Sequence, residues 1–237
     1  NAVRKHISRV KGGRLAEAIH PARSHSLILS DVVGSDPSVI ASGPTVADAS
    51  TYEDALDVVR RYGLDSRLPS AVINHLRAGT SGDHPETLRA GAPELSNTRH
   101  DIIGDTTTSA HAALRACEDA GLDGRILTTQ MEGEARDVGG YVAEFAAELD
   151  TAGDIDCLIL TGESTVTVTG DGHGGRNQEL ALAAALELDD RAGITVASLA
   201  TDGIDGPTEA AGAIVDSDTR DLIEDAGIDP RAALANN

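Results

Sequence analysis

Four polar, glycine-bearing segments hold the residues best suited to chemistry. Lys11-Gly12-Gly13-Arg14 sets two cations around a glycine pair, which suits an anion approached closely by backbone. Ser30 to Pro37, running on to Ser42-Gly43-Pro44-Thr45, carries Asp31 and Asp36. Its small residues can offer successive N–H groups to an anion, and a carboxylate such as Asp36 can hold Mg2+ or accept a hydroxyl proton. Gly170 to Glu179 places glycines ahead of Arg176-Asn177-Gln178-Glu179 and a helical pattern, so a guanidinium and a helix N-terminus would be presented together. Thr201 to Thr208 sets Asp202 and Asp205 three apart in a glycine-rich loop, close enough to share Mg2+ or to divide metal and base roles. Each segment has a plain alternative: a solvated turn, a helix start at Asp36-Pro37, a glycine-rich hairpin turn, and an Asx turn.

The missing motifs narrow the chemistry. There is no Gly-Lys-Ser/Thr phosphate loop, no dinucleotide fingerprint after a strand, no Cys-x-x-Cys and no His-Glu-x-x-His. Ser164 lies in Gly-Glu-Ser and lacks a nucleophile elbow. His173 on its own reads as a surface polar residue. Anion clamps, carboxylates for a hard cation and no redox motif suit phosphoryl transfer to a small anionic substrate.

Short apolar runs alternating with helical periods indicate an α/β fold that positions these loops. Leu27-Ile28-Leu29 reads as a buried strand, and 53–62 as an amphipathic helix closed by Gly63. A short helix is expected over 68–76, a loop over 79–97, a helix over 107–120 and a strand over 125–129. Val138, Tyr141, Val142, Phe145, Ala146 and Leu149 define one helical face. Cys157 to Leu160 reads as a core strand, followed by a turn at 161–163 and a second strand over 165–169. A helix over 178–188, a strand over 194–200 and a helix over 217–226 complete the pattern. The polar stretch 151–154 is the expected boundary between two domains, 1–153 and 154–237.

Charge sets the solvent and excludes partners. The 237 residues carry 39 Asp and Glu against 19 Lys and Arg, a net of −20, with only two lysines, Lys5 and Lys11. Such a surface repels nucleic acid and anionic lipid, and four aromatic residues do not make a stacking platform for single strands. No apolar run reaches the roughly 20 residues of a membrane span. Two cysteines make no disulfide framework. A folded, cytoplasmic protein adapted to high salt is expected, because molar salt shortens the Debye length to about 3 Å.

Six strings, in order over nearly the whole chain, resemble the type-2 glycerate kinases that carry a MOFRL domain. They are Lys11 to Ala16, Ser30 to Thr45, Glu132-Gly133-Glu134-Ala135-Arg136, Gly162 to Val168, Gly174-Gly175-Arg176-Asn177-Gln178-Glu179, and Thr201 to Thr208. The resemblance implies ATP- and Mg2+-dependent phosphorylation of D-glycerate at its 2-hydroxyl. It also implies two α/β lobes, a Rossmann-like parallel sheet region and a C-terminal mixed α/β domain, with the site in a cleft. Arg176 is then the first candidate for catalysis or substrate clamping, with Asp205 as a catalytic carboxylate. Asp202, Asp205 and Asp36 are candidate metal ligands. Lys11, Ser42, Gly43, Thr45, Gly162, Glu163, Gly174, Gly175 and Asn177 are candidates for substrate or phosphate binding. A homodimer stays open.

The chain also departs from the family. The resemblance leads one to expect an earlier Gly-Lys-Ala segment and a continuation after an Asn-Asp, where this sequence stops at Asn236-Asn237. The residues are therefore expected to be an internal portion of a longer enzyme. Ser164 stands where many members have threonine. Hydroxypyruvate reductase and a non-catalytic glycerate- or nucleotide-binding protein are the alternatives.

Overall fold

A computed structural model describes residues 1–152, 155–189 and 191–236. The chain divides into two compact units, Asn1–Asp105 and Thr106–Asn237. This division leaves the expected 153/154 boundary inside the second unit; Gly153 and Asp154 themselves fall outside the described residues.

In the first unit, α1 (Ala2–Ile7), α2 (Arg14–Ile19), β1 (Ser24–Leu29), α3 (Tyr52–Arg61), α4 (Ser70–Thr80) and β2 (Thr98–Gly104) follow in order. Helix α3 starts where Thr51 and Asp54 form a capping box: Thr51 Oγ1 accepts the Asp54 N–H at 3.1 Å, and Asp54 Oδ2 accepts the Thr51 N–H at 2.8 Å. It stops before Gly63, whose φ of 59° breaks the helix. Its apolar stripe packs Tyr52, Ala55, Leu56 and Val59 against Ile73 and Leu76 of α4, with Ala2 and Val3 of α1 alongside.

Strands β1 and β2 pair in parallel, Ser24 opposite Thr98 through Ile28 opposite Ile102. The expectation of a buried strand fails here. Leu27 is 63 % and Leu29 74 % exposed, while Ile28 turns to the packed side. A Leu-Ile-Leu run signals burial on both faces, as parallel sheets usually have, but the described residues cover only one.

The second unit runs α5 (Thr106–Asp119), β3 (Gly124–Glu134), α6 (Ala135–Ala152), β4 (Cys157–Thr165), α7 (Arg176–Glu187), β5 (Thr195–Leu199), β6 (Gly212–Asp216), α8 (Thr219–Asp225) and α9 (Pro230–Ala235). Strands β3 and β4 are parallel, and β5 and β6 antiparallel, which gives the mixed α/β arrangement the sequence suggests. The expected turn at 161–163 is instead the interior of β4. Gly162 lies there because a Cβ would fall 2.1 Å from the Met131 carbonyl oxygen, so only glycine lets the two backbones approach. Residues 166–169 are not a strand.

Helix α6 forms, and Val138 and Val142 of the expected face pack against the core, but two other members of that face do not. Tyr141 is 71 % exposed and Phe145 is exposed. The packed stripe is Ala135, Gly139 and Ala143, four apart. Opposite it stand Leu180, Ala181, Ala184 and Ala185 of α7, joined by Leu188, Val196 and Val215. A Cβ on Gly139 would fall 2.1 Å from the Leu180 carbonyl oxygen. The small residues allow the two helices to meet nearly backbone to backbone. Cys157 is half-buried rather than a core residue, with its Sγ 3.2 Å from that of Cys117. Burial comes first in pushing its thiol up to about 11, helped by the neighbouring Cys117.

Candidate functional site

In the second unit the sequence 174–179 folds onto the loop 201–208. Asp205 is 1 % exposed and lies beneath the N-terminus of α7. Its Oδ1 accepts the Asn177 backbone N–H and the Asn177 Nδ2, both at 3.0 Å. Its Oδ2 accepts the Gln178 backbone N–H at 2.8 Å and Gln178 Nε2 at 3.1 Å. Four donors use the four acceptor sites of a carboxylate. Burial pulls the Asp205 carboxyl upward, yet the hydrogen bonds from Asn177 and Gln178 outweigh it and hold the group below the usual carboxylate range.

This arrangement differs from the expected open helix end. The N–H groups of Asn177 and Gln178 face Asp205, and the Glu179 N–H donates to the Gly175 carbonyl at 2.9 Å. The glycines before α7 have a steric cause. A Cβ on Gly175 would meet the Asp205 carboxyl carbon at 2.4 Å, and one on Gly206 would meet the Gly174 carbonyl oxygen at 2.4 Å. Around Gly174 there is open space.

Arg176 opens α7. A cation at a helix N-terminus opposes the macrodipole, so its placement needs compensation. Glu163 of β4 supplies it: Arg176 Nη1 donates to Glu163 Oε1 in a short contact and to the Ser164 carbonyl at 3.4 Å. Nε and Nη2 of Arg176 make no hydrogen bond among the described residues, and its side chain is half-buried. Ser164 is buried in β4 opposite Gly133.

Asn177 is committed on both sides of its amide, because its Oδ1 accepts the Ser198 hydroxyl at 2.9 Å. Gln178 Nε2 also donates to Thr208 Oγ1 at 2.9 Å, and that hydroxyl donates to the Asp205 carbonyl at 2.8 Å. Gln178, Ser198 and Thr208 are therefore parts of the site that residue-type reasoning passed over. Gln178 and Thr208 stand inside the quoted strings, whereas nothing in the sequence marks Ser198. Asp202 is exposed at the loop tip, with one oxygen accepting the Ile204 N–H at 3.2 Å. His173 is exposed.

The first unit gathers Lys11, Ser42, Gly43 and Thr45. Lys11 Nζ donates to the Ala41 carbonyl at 2.8 Å. Gly12 N–H donates to the Ser42 carbonyl at 3.0 Å, and Gly13 N–H to the Gly43 carbonyl at 2.8 Å. Two of the quoted strings thus staple together, and the donors expected to meet an anion meet carbonyls. Ala41, Ser42 and Gly43 are consecutive left-handed residues, with φ of 51°, 64° and 59°. Ser42 Oγ donates to Asn1 Oδ1 at 2.8 Å, and the Thr45 hydroxyl lies 3.2 Å from Ser26 Oγ and 2.9 Å from His100 Nε2. Asp36 is exposed and accepts the Ser38 N–H at 2.8 Å in a local turn.

A buried ion pair went unread in the sequence. Lys5 Nζ lies 2.9 Å from Asp48 Oδ1, with both side chains buried. Asp48 also accepts from the Ser50 N–H at 3.0 Å and from the Thr87 hydroxyl at 3.0 Å. Burial works upward on Asp48, but Lys5, Ser50 and Thr87 hold its carboxyl below the usual range. Among the described residues no group of three or more His, Cys, Asp or Glu could hold a metal ion, and no helix is long and apolar enough to cross a membrane.

Comparison with known proteins places these strings. A domain of unknown function, DUF4147, matches residues 1–77, and the MOFRL family matches residues 156–237. A D-glycerate 2-kinase of Thermotoga maritima is 40 % identical over 242 residues, covering 100 % of this chain and 55 % of the relative. The crystal structure of a glycerate kinase from the same organism superposes with a TM-score of 0.82, covering 100 % of this chain and 55 % of that one. A putative hydroxypyruvate reductase of Agrobacterium vitis is 44 % identical over 243 residues, covering 99 % of this chain and 53 % of the relative. The chain thus spans about half the length of these relatives. A glycerate kinase of Macaca fascicularis is 34 % identical over 282 residues, and the match takes in all of this chain and 69 % of that protein. With that similarity covering the whole of this chain, Arg176, Asp205 and the loops that hold them included, the chain belongs to the glycerate kinase family.

Proposed function

We propose that the protein transfers the γ-phosphoryl group of ATP to the 2-hydroxyl of D-glycerate, giving 2-phosphoglycerate and ADP, in a cytoplasmic setting. The observation that carries this reading is the Arg176 guanidinium. It is held at the start of α7 by Glu163 and Ser164, with Nε and Nη2 free to form a fork on a carboxylate or phosphoryl group. The names of the 40 % and 34 % identical relatives supply the substrate class.

Arg176 clamps the anion, and Glu163 fixes its rotamer. Asp205 is the anchor of the site. It has no oxygen left for a metal or a substrate proton, and its depressed carboxyl is a poor base. The catalytic and metal roles first expected of Asp205 pass to Asp202, whose second oxygen makes no hydrogen bond among the described residues. Mg2+ is commonly held by one or two carboxylates together with substrate phosphates, and an exposed Asp202 fits that donor set. When bound, the ion neutralises charge on the phosphates. The glycerate 2-oxygen forms the new bond to the γ-phosphorus as the bond to the ADP oxygen breaks, and the hydroxyl proton passes to a carboxylate or to solvent. Gly174 leaves room beside Arg176. Lys11, Ser42, Gly43 and Thr45 shape a rigid loop of the first unit, and Gly162 serves strand approach, so none of these five needs to touch phosphate.

The test incubates the complete gene product with ATP, Mg2+ and D-glycerate in molar KCl and follows products by phosphorus NMR. A 2-phosphoglycerate signal supports the reading. No phosphorylated product from folded protein refutes it, and nicotinamide oxidation with hydroxypyruvate would then favour the reductase suggested by the Agrobacterium relative.

A further inference from the structure

The Lys11-Gly12-Gly13-Arg14 string separates in the fold. Lys11 turns to a carbonyl, whereas Arg14 enters a cavity of about 330 Å³ within the first unit. His6, Arg9, Arg14, His75 and His84 line it, and Glu17 is the single carboxylate on its wall. In a chain of net −20, two arginines against one glutamate give this wall a local excess of positive charge.

Arg14 shows what is missing. Its Nη2 donates to the Pro85 carbonyl at 3.2 Å and to the Tyr52 hydroxyl at 3.5 Å, both neutral. Its Nε is buried and makes no hydrogen bond among the described residues. Arg60, Arg89, Arg136, Arg176 and Arg220 each reach a carboxylate. Among the described residues no carboxylate pairs with Arg14, whose side chain is only partly buried, and burying its Nε without an acceptor is costly. The walls around it are held firmly. Tyr52 stands edge-on to His6 at 4.6 Å and to His75 at 5.8 Å, and His84 stacks on His75 at 4.5 Å. His75 Nε2 donates to the His6 carbonyl at 2.8 Å, which fixes that ring. Gly79 lies against Tyr52 so closely that a Cβ would meet the ring at 2.3 Å.

We propose that this cavity binds a small oxyanion, the phosphate or carboxylate group of a low-molecular-weight metabolite, with Arg14 as its principal ligand. Nη1, which makes no hydrogen bond among the described residues and is not buried, donates to one oxygen. The Arg9 guanidinium adds a second cation and the His84 ring a polar wall, and Glu17 tunes the affinity downward. The site uses none of the residues assigned to phosphoryl transfer and does not depend on that reading.

The test uses the 15N-labelled complete gene product at fixed ionic strength. Inorganic phosphate and acetate are titrated separately while the arginine Nε–H signals are followed by NMR. The Arg14 signal, assigned by its loss in Arg14→Lys, is expected to shift saturably with a half-point of about 1 mM. Arg14→Gln should abolish saturation at the His84 ring signals. Glu17→Gln should tighten binding several-fold, a gain that a purely structural role for Arg14 would not give. Saturation by phosphate alone identifies a phosphoryl ligand, and saturation by both anions identifies a carboxylate-tolerant site. Linear shifts shared by all arginines, or saturation unchanged in Arg14→Gln and Glu17→Gln, would overturn the proposal.

Discussion

At the scale of single residues, Arg176 and Asp205 do opposite things with their charge. Arg176 keeps two nitrogens for a ligand, so Arg176→Ala should lower kcat by about 10²–10³-fold, the usual loss for one charge-stabilising donor. Its melting temperature should stay close to the parent's, because the truncation also frees a macrodipole mismatch. A steady-state assay beside a thermal melt checks both, and near-normal turnover would remove Arg176 from the mechanism. Asp205→Asn turns an acceptor of four bonds into a group that presents N–H to N–H. It should cost about 1–3 kcal/mol by urea titration at neutral pH. Because the folded Asp205 carboxyl is depressed, its contribution is complete above the unfolded value of about 3.9 and is lost as pH falls through the lower folded value. The gap between parent and Asp205→Asn should therefore close below about pH 4. A gap that persists there would mean the carboxylate charge is not what anchors α7.

Elements and their contacts show where a sequence speaks and where it is silent. Helix α3 was legible because its cap, its stripe and its closing glycine agree. The site loops were legible as places because Gly, Asp and Thr crowd there, but not as roles. Asp205 looks like a catalytic aspartate until the donors around it are seen, and those donors come from residues 27 and 28 positions away. Helix α6 was legible in part: Val138 and Val142 pack against the core, but Tyr141 and Phe145 are exposed, and the closest approach to α7 falls to Ala135, Gly139 and Ala143, whose small size no apolar periodicity marks. The buried Lys5–Asp48 pair was hidden because its members lie 43 residues apart with no motif around either. The α6–α7 contact gives a direct test in Gly139→Ala. Helix propensity favours alanine by about 1 kcal/mol. Against this, a methyl 2.1 Å from the Leu180 carbonyl oxygen forces overpacking of about 1–3 kcal/mol, because a helix backbone cannot yield as a side chain does. A net fall in melting temperature is expected, and a rise would show that the helices stand farther apart.

For the molecule as a whole, 39 acidic groups against 19 basic ones make self-repulsion the dominant long-range force. Raising KCl from 0.1 M to 1 M shortens the Debye length from about 10 Å to about 3 Å, so the melting temperature should climb across that range. A protein equally stable and active at 0.1 M would not be salt-adapted. The alanine and glycine seam between α6 and α7 carries a further consequence, a calorimetric one. Alanine methyls bury less apolar surface per residue than leucine or phenylalanine, and apolar surface exposed on unfolding is what raises heat capacity. The heat-capacity increment of unfolding, measured by scanning calorimetry in high salt, should fall below the usual value of about 12–15 cal/mol/K per residue. The stability curve would then be a shallow dome whose cold-denaturation limb lies far below the freezing point of brine.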